Sequence, residues 1–368
     1  MGMDGADLQR AAYKLDAAEL EAACLGFHRA HPHRSAKRSI YITQWLAFIA
    51  LIAVFVWAAQ RAPALTWGAV HYVALAVFGV AIAWRLIAAS NLKRLLWRLA
   101  SPAKWPNYTI LCPLYREANV VPDLVASLRM MDYPRDALQV ILLVEGDDHE
   151  TLNAAVSAST SPAIEVVVVP AATPRTKPKA LNAGLARARG EFLVVYDAED
   201  RPHPQQLRAA LASFQDGGEQ LACVQAPLDI DNASDSWIAR QFAAEYAIQF
   251  REMLPMLARW KLPLPLGGSS NHFKTAALRA TGGWDPFNVS KDGAQNAMNS
   301  KRFSEWDMSC PIRVPFAHKC LVGKRNPWDP VNVREKTCAF AHKISVLSAR
   351  DFSRPVPLSF LWVTAKSA

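Results

Sequence analysis

Residues 192–202, FLVVYDAEDRP, run through apolar and aromatic side chains and then set three acids, Asp197, Glu199 and Asp200, within four positions. Asp197 and Glu199 lie two apart, so on an extended backbone they face the same side and can grip one ion together. Paired carboxylates suit a hard divalent cation, Mg2+ or Mn2+, that keeps part of its water and completes its shell with phosphate oxygens. Three other segments carry related groups: CPLYREANVV brings Glu117, LLVEGDDHET brings Glu145, Asp147 and Asp148, and RTKPKALNAGL brings Arg175, Lys177 and Lys179. Cations and free amides at a helix entrance can meet a diphosphate. Each segment also has a purely structural reading: a capped turn at Asp200, helix caps at Glu117 and Asp148, a solvated basic turn at the lysines.

The elements that must position these groups follow from the pattern after Tyr108. Apolar runs YTILCPLY, LQVILLVE, IEVVVVP, EFLVVYDA and LACVQAPL read as strands, with helices near 117–130, 148–158, 177–189 and 204–214 between them. Near-continuous apolar strands separated by helices predict an α/β domain with a mostly parallel sheet covered on both faces. Ligands of such sheets bind beyond the carboxyl ends of the strands. The acids of 197–200 fall at such an end, where a charged group escapes the cost of full burial.

Upstream the chain is different in kind. Residues 39–60 and 62–84 are uncharged runs of 22 and 23 residues, separated by Arg61. At about 1.5 Å per residue each reaches across a hydrocarbon layer of about 30 Å, so two transmembrane helices are predicted. Arg29, Arg34, Lys37 and Arg38 precede the pair and Arg85, Lys93, Arg94, Arg98 and Lys104 follow it, which puts both flanks in the cytoplasm by the positive-inside rule. The net charge of +9 then belongs largely to the lipid surface, and nucleic acid is not an expected partner. Six cysteines show no metal-ligand spacing and are read as reduced thiols.

Residues 106–292 resemble the catalytic domain of family 2 glycosyltransferases, the membrane-bound group that includes cellulose, chitin and hyaluronan synthases. The resemblance rests on P-x-Y-x-E (Pro113, Tyr115, Glu117), MDYP at 131–134, the acidic end of LLVEGDD, KPKALNAGL, the D-x-D-like DAED, and GGSSNHFKTAALRATGGWDPFN. It implies a GT-A (Rossmann-like) fold and transfer, with inversion, from a nucleotide-diphosphate sugar, commonly UDP-linked, to a glycan or growing polysaccharide. On the matching positions, Glu117, Glu145, Asp147, Lys179 and Asp197 would bind the nucleotide sugar. Asp197, Glu199 and Asp200 would hold Mg2+ or Mn2+, although the family usually has Asp where this chain has Glu199. Gly268, Ser269, Ser270 and Asn271 would shape the acceptor side, and Asp292 aligns with the catalytic base.

The resemblance then stops. Lys291 stands where the family's T-E-D motif has an acid, and no later Q-x-x-R-W motif follows. Leucine supplies 34 of the first 289 residues and 4 of the last 79. A truncation or frameshift near residue 290 is the reading this suggests. The expected organisation is therefore a cytoplasmic helical segment (1–38), a membrane hairpin (39–84), a basic interfacial linker (85–105), the catalytic domain (106–289) and an atypical, poorly folded tail (290–368). The expected location is the inner or cytoplasmic membrane, multi-pass, with the catalytic domain cytoplasmic. Two rivals remain at this level: a noncatalytic nucleotide-sugar-binding or assembly partner of an intact synthase, and a nucleotidyltransferase built on the same sheet and metal.

Overall fold

The structure, a computed structural model, describes residues 12–37, 41–90, 98–159 and 161–288, with the backbone of 307–309 and 317–319. The chain divides into two compact units, 1–321 and 322–368, and all described residues fall in the first. A two-residue strand, β1 (Tyr13–Lys14), leads into α1 (Ala17–Ala30). Asp16 starts this helix with a capping box, its carboxylate accepting from Glu19 N at 2.8 Å while Glu19 returns a bond to Asp16 N at 2.9 Å.

Two apolar helices come next, α2 (Ile42–Arg61, 20 residues) and α3 (Pro63–Ser90, 28 residues), both long and apolar enough to cross a membrane. Their side chains face outward: no residue of α2 and only Ala88 of α3 is buried. A soluble core helix would bury one face, so the expected hairpin has the exposure that a lipid partner requires.

The remaining elements alternate. They are β2 (Tyr108–Leu114), α4 (Val121–Arg129), β3 (Leu138–Glu145), α5 (His149–Ala158), β4 (Ile164–Val169), α6 (Lys177–Arg187), β5 (Phe192–Val195), β6 (Asp200–Pro202), α7 (Gln206–Gly217), β7 (Leu221–Gln225) and β8 (Leu228–Ile230). Then come α8 (Trp237–Ala247), a π-helical turn (Ile248–Met253), α9 (Leu254–Arg259), β9 (Asn271–Lys274), α10 (Thr275–Ala280), β10 (Asp307–Ser309) and β11 (Ala317–Lys319). The main sheet has the order β1-β4-β3-β2-β5-β9-β7-β10, parallel except for β9, which runs antiparallel to β5 and β7. A small second sheet orders β6-β11-β8.

Side chains alternate across this sheet into two cores, as period-two geometry demands. Ile110, Leu142 and Val194 fill one, while Leu111, Ile141, Leu143 and Val195 fill the other. Each contributes about 1.5–3 kcal/mol of burial. Central β2 is tied to β3 from Tyr108↔Leu138 to Leu114↔Val144 and to β5 from Tyr108↔Phe192 to Leu111↔Val195.

Three features differ from the sequence reading. The N-terminal segment, expected to be a cytoplasmic helical segment apart from the catalytic domain, is part of the fold: β1 extends the sheet beside β4, and α1, which packs on α6, buries Ala23, Cys24 and Phe27. Residues 98–107 are irregular, although the basic interfacial segment 86–104 reads as a helix in sequence, and Ala100 N bonds to Arg208 O of α7 at 3.2 Å. In the tail, β10 pairs with β7 and β11 joins β6 to β8, so parts of the segment expected not to fold do enter sheets.

The N-terminal segment is fastened to the turn at 282–288. Asp285, 1 % exposed, accepts from Ser35 Oγ at 3.1 Å, from Ala36 N, and from Phe287 N at 3.2 Å. Asn182 of α6 donates to Ala23 O at 3.3 Å and Trp284 O at 2.8 Å, and accepts from Trp284 N at 2.9 Å. Gly283 sits at φ 78°, and a Cβ there would lie 2.6 Å from Asn182 Oδ1, so both the backbone and the close approach require glycine. Asp285→Ala leaves buried donors unpaired and should lower unfolding stability by about 2 kcal/mol, read by thermal or denaturant unfolding in detergent. Wild-type stability in that variant would show that the strap is not held there.

Candidate active site

At the carboxyl edge of β2, β3 and β5 lies a cavity of about 320 Å3, lined among others by Tyr115, Glu117, Glu145, Lys177, Asp197 and Glu199. Parallel pairing explains the convergence. Strands in register end together, so the residues after Leu114, at Glu145 and after Val195 arrive at one edge. The N-terminus of α6 also opens here, since Thr176, Lys177 and Ala180 line the same cavity, adding free amides and the positive end of the helix dipole.

The chain leaves β2 through Arg116 at φ 58°, in the left-handed region that costs a non-glycine residue about 1 kcal/mol. Its amide donates to Asp148, which also caps α5 by accepting from Thr151 N at 3.2 Å. Burial pushes the Asp148 carboxyl up, but those amide bonds outweigh it and hold the group below its ordinary value. The capping reading of Asp148 is what the structure shows. Glu117 does not cap α4; its carboxylate accepts from Tyr115 N at 3.2 Å and lines the cavity. Loss of solvent, and then the nearby charges of Glu199 and Asp197, push Glu117 up to about 7.

The two lysines at the helix entrance have different roles. Residues 177 and 179 are about 200° apart around the helix axis, so they point to opposite sides. Lys179 is fully buried, with its ammonium 2.9 Å from Glu145 Oε2 and 3.3 and 3.5 Å from the carbonyls of Pro170 and Ala172. Despite the nucleotide contact expected of it, Lys179 is absent from the cavity lining and instead forms a buried ion pair with Glu145. Desolvation raises the Glu145 carboxyl while Lys179 opposes the rise. Lys177 is the lysine that faces the cavity, bound to Asp197 and to Gly268 O at 3.1 Å.

The expected metal triad also divides. Asp197 and Glu199 line the cavity, whereas Asp200 is fully buried and turned inward, accepting from Asp197 N at 2.7 Å and from Ser269 Oγ. Asp200 closes the turn after β5 because an Asp side chain three residues on reaches back to a free amide. Among the described residues no three His, Cys, Asp or Glu side chains converge as a metal cluster. The donor set still fits a divalent cation: two hard carboxylates face a cavity in which Asp197 already binds one positive group, and a bound diphosphate would supply further oxygen ligands.

Asp147 is exposed and pairs with Arg175 at 2.8 Å, and Arg175 also donates to Tyr115 Oη at 3.2 Å. Of the expected acceptor residues, Ser269, Ser270 and Asn271 are buried, and Gly268 reaches the cavity's charges through its carbonyl. Those three form the wall behind the acids; Ser270, at φ 57°, ties β5 to β7 by donating to Val195 O at 2.8 Å and accepting from Ala226 N at 2.9 Å. Asp292, the expected base, lies outside the described residues. Sequence reasoning noticed Lys177 and Arg175 but passed over Lys177 as a site residue; the 200° offset between alternate helix positions was the signal available.

A parallel sheet with one reversed strand, and carboxylates and a lysine at its carboxyl edge, is the GT-A architecture. The fold matches a mannosyltransferase from Pyrobaculum calidifontis, PcManGT, solved with GDP-Man and Mn2+, at TM-score 0.52 and 24% identity over 68% of this chain and 67% of that one. The family model described as Glycosyltransferase like family 2 matches residues 106–307, more than half of the chain, and the chain belongs to that family. A curated relative, the "Probable glycosyltransferase YdaM" of Bacillus subtilis (strain 168), is 24% identical over 191 residues, 51% of this chain and 45% of that protein. The chain therefore spans about half the length of that relative. The family match continues to residue 307, past residue 289, where the sequence reading ended the domain.

Two predictions separate the roles of these groups. The Glu117 carboxyl binds its proton more tightly when folded, about 7 against an ordinary 4.5, so this group's contribution makes stability fall as pH rises through that window. Glu117→Gln should remove the loss, making the variant gain on wild type between pH 5 and pH 8 when unfolding is followed without added metal; an unchanged difference would contradict it. Lys179→Met leaves the Glu145 charge uncompensated and should cost about 3–5 kcal/mol of stability, whereas Lys177→Gln, which removes a partly exposed partner of Asp197 at the cavity surface, should cost less, about 1–2 kcal/mol, by the same measurement.

Proposed function

We propose that the chain binds a nucleotide-diphosphate sugar at the edge of β2, β3 and β5 and transfers the sugar, with inversion, to a glycan or growing polysaccharide. The observation that carries this is the gathering of Asp197, Glu199, Lys177 and the α6 N-terminus around one cavity. Asp197 and Glu199 would hold Mg2+ or Mn2+, which when bound offsets the charge left on the departing diphosphate. Lys177 and the α6 amides orient the phosphates, and Tyr115, Glu117 and the Arg175–Asp147 pair line the nucleoside end. Glu145, held still by Lys179, completes that wall. In this reading Asp292 takes the proton from the acceptor hydroxyl.

The outward-facing hairpin α2–α3 supports membrane attachment, and the basic residues on both flanks support a cytoplasmic catalytic domain. PcManGT was solved with GDP-Man, so a guanine nucleotide stands beside the UDP expected from sequence. The departure at Lys291 favours one further reading, a nucleotide-sugar-binding partner of an intact synthase. Co-purification with such a synthase, without sugar transfer by this chain itself, would mark it.

Calorimetry with UDP and with GDP in the presence of Mn2+ should show binding of one of them, and Asp197→Asn should weaken it at least about tenfold, the cost of one lost charge-assisted contact. Absence of binding by either nucleotide would end the sugar-transfer reading and the partner reading together.

A further inference from the structure

Lys177 and Lys179 enter the same helix two residues apart, yet only one of them is free to exchange partners. Lys179 is enclosed, with Glu145 and two carbonyls around its ammonium. Lys177 keeps 22% of its side chain exposed, lies at the cavity surface, and is bound to an Asp197 carboxylate that is itself 8% exposed. A carboxylate so deeply placed requires a counter-charge, and Lys177 supplies it where no metal is present.

Other carboxylates share the cavity with this pair. Glu117 and Glu199 line the same cavity, and Glu117 is raised in part by the fields of Glu199 and Asp197. Arg175, the other cation of the lining, is directed to Asp147 and Tyr115. A divalent ion would therefore be drawn to Asp197 and Glu199, and on arrival would repel the ammonium already there. The lysine's four-carbon stem can swing toward the open cavity, where a diphosphate offers a new partner.

We propose that Lys177 is an exchangeable internal cation: it occupies Asp197 in the empty pocket and passes to the diphosphate when Mn2+ or Mg2+ takes its place, so that metal and nucleotide bind cooperatively. The proposal rests on the nucleotide-sugar reading of the pocket. Because coupling between two ligands is reciprocal, metal tightens nucleotide by the same factor that nucleotide tightens metal. The exchange makes metal alone bind weakly, since it must displace Lys177 into solvent, and makes metal with diphosphate bind well, since the displaced ammonium is used.

The test measures Mn2+ binding to the full-length protein in detergent, by the loss of the free-ion paramagnetic resonance signal, without nucleotide and with saturating UDP or GDP. Wild type should bind Mn2+ at least about tenfold more tightly with the nucleotide it accepts, within the range usual for coupled sites. Lys177→Gln should bind Mn2+ alone about tenfold more tightly than wild type, and its gain in Mn2+ affinity on adding nucleotide should be smaller than that of wild type by about the same factor, the remainder being direct metal–phosphate contact. Lys177→Arg, which can still pair with Asp197, should keep the coupling, and unfolding temperatures near wild type confirm that both variants are folded. Unchanged or weaker Mn2+ binding by Lys177→Gln in the absence of nucleotide would overturn the exchange while leaving the sugar-nucleotide site standing. Failure of wild type to bind Mn2+ with either nucleotide would overturn both.

Discussion

The pairing of β2 with β3 on one side and β5 on the other is the constraint on which the candidate site depends. Parallel strands in register end at a common edge, and this edge receives Glu117, Glu145, Asp197 and Glu199 from three different stretches of chain. A slip of one residue in either ladder would turn buried apolar side chains to the other face and carry the acids out of line. The sheet's apolar cores thus enforce the geometry of its charged rim. Among the described residues near the cavity, left-handed backbone at non-glycine positions occurs at Arg116 and Ser270, in connections rather than in strands.

Charge at this rim is arranged in two layers. The inner layer, Glu145 with Lys179 and Asp200 with Asp197 N and Ser269, is closed and holds the frame. The outer layer, Glu117, Asp197 and Glu199 with Lys177, faces the cavity. Buried pairs are costly to break and so suit a fixed frame, whereas a partly exposed lysine at the cavity surface changes partners at a smaller cost. In the proposed function this division has a use: the outer groups would meet the phosphates and the inner groups would keep them in place.

The N-terminal strap connects the apolar helix pair to the sheet domain. α1 packs on α6, the helix whose entrance carries Lys177, and Asp285 binds Ser35 just before the apolar pair α2–α3 begins. Thr176 Oγ1 donates to Pro286 O at 2.7 Å, so the same turn that receives the strap also touches the cavity wall. The strap, the GGWDPF turn and the α6 entrance that lines the cavity form one connected structure.

The strands, the α/β class, the apolar helix pair and the acid-rich strand ends were legible in the sequence because they depend on local periodicity. Five strands and four helices fall where alternation and turn residues put them, and the reversed strand β9 lies within the GGSSNHFK segment that the motif marked without revealing its direction. The partners of individual charges were not legible. Lys177 and Lys179 are equivalent in composition, Asp197 and Asp200 nearly so, and β1 is only two residues long. Tertiary structure decided that Lys179 and Asp200 turn inward, that Lys177 and Glu199 face the cavity, and that the N-terminus joins the sheet. The physical reason is that periodicity sets which side of its own element a residue occupies, while the desolvation and pairing of a charge depend on neighbours brought from distant parts of the chain.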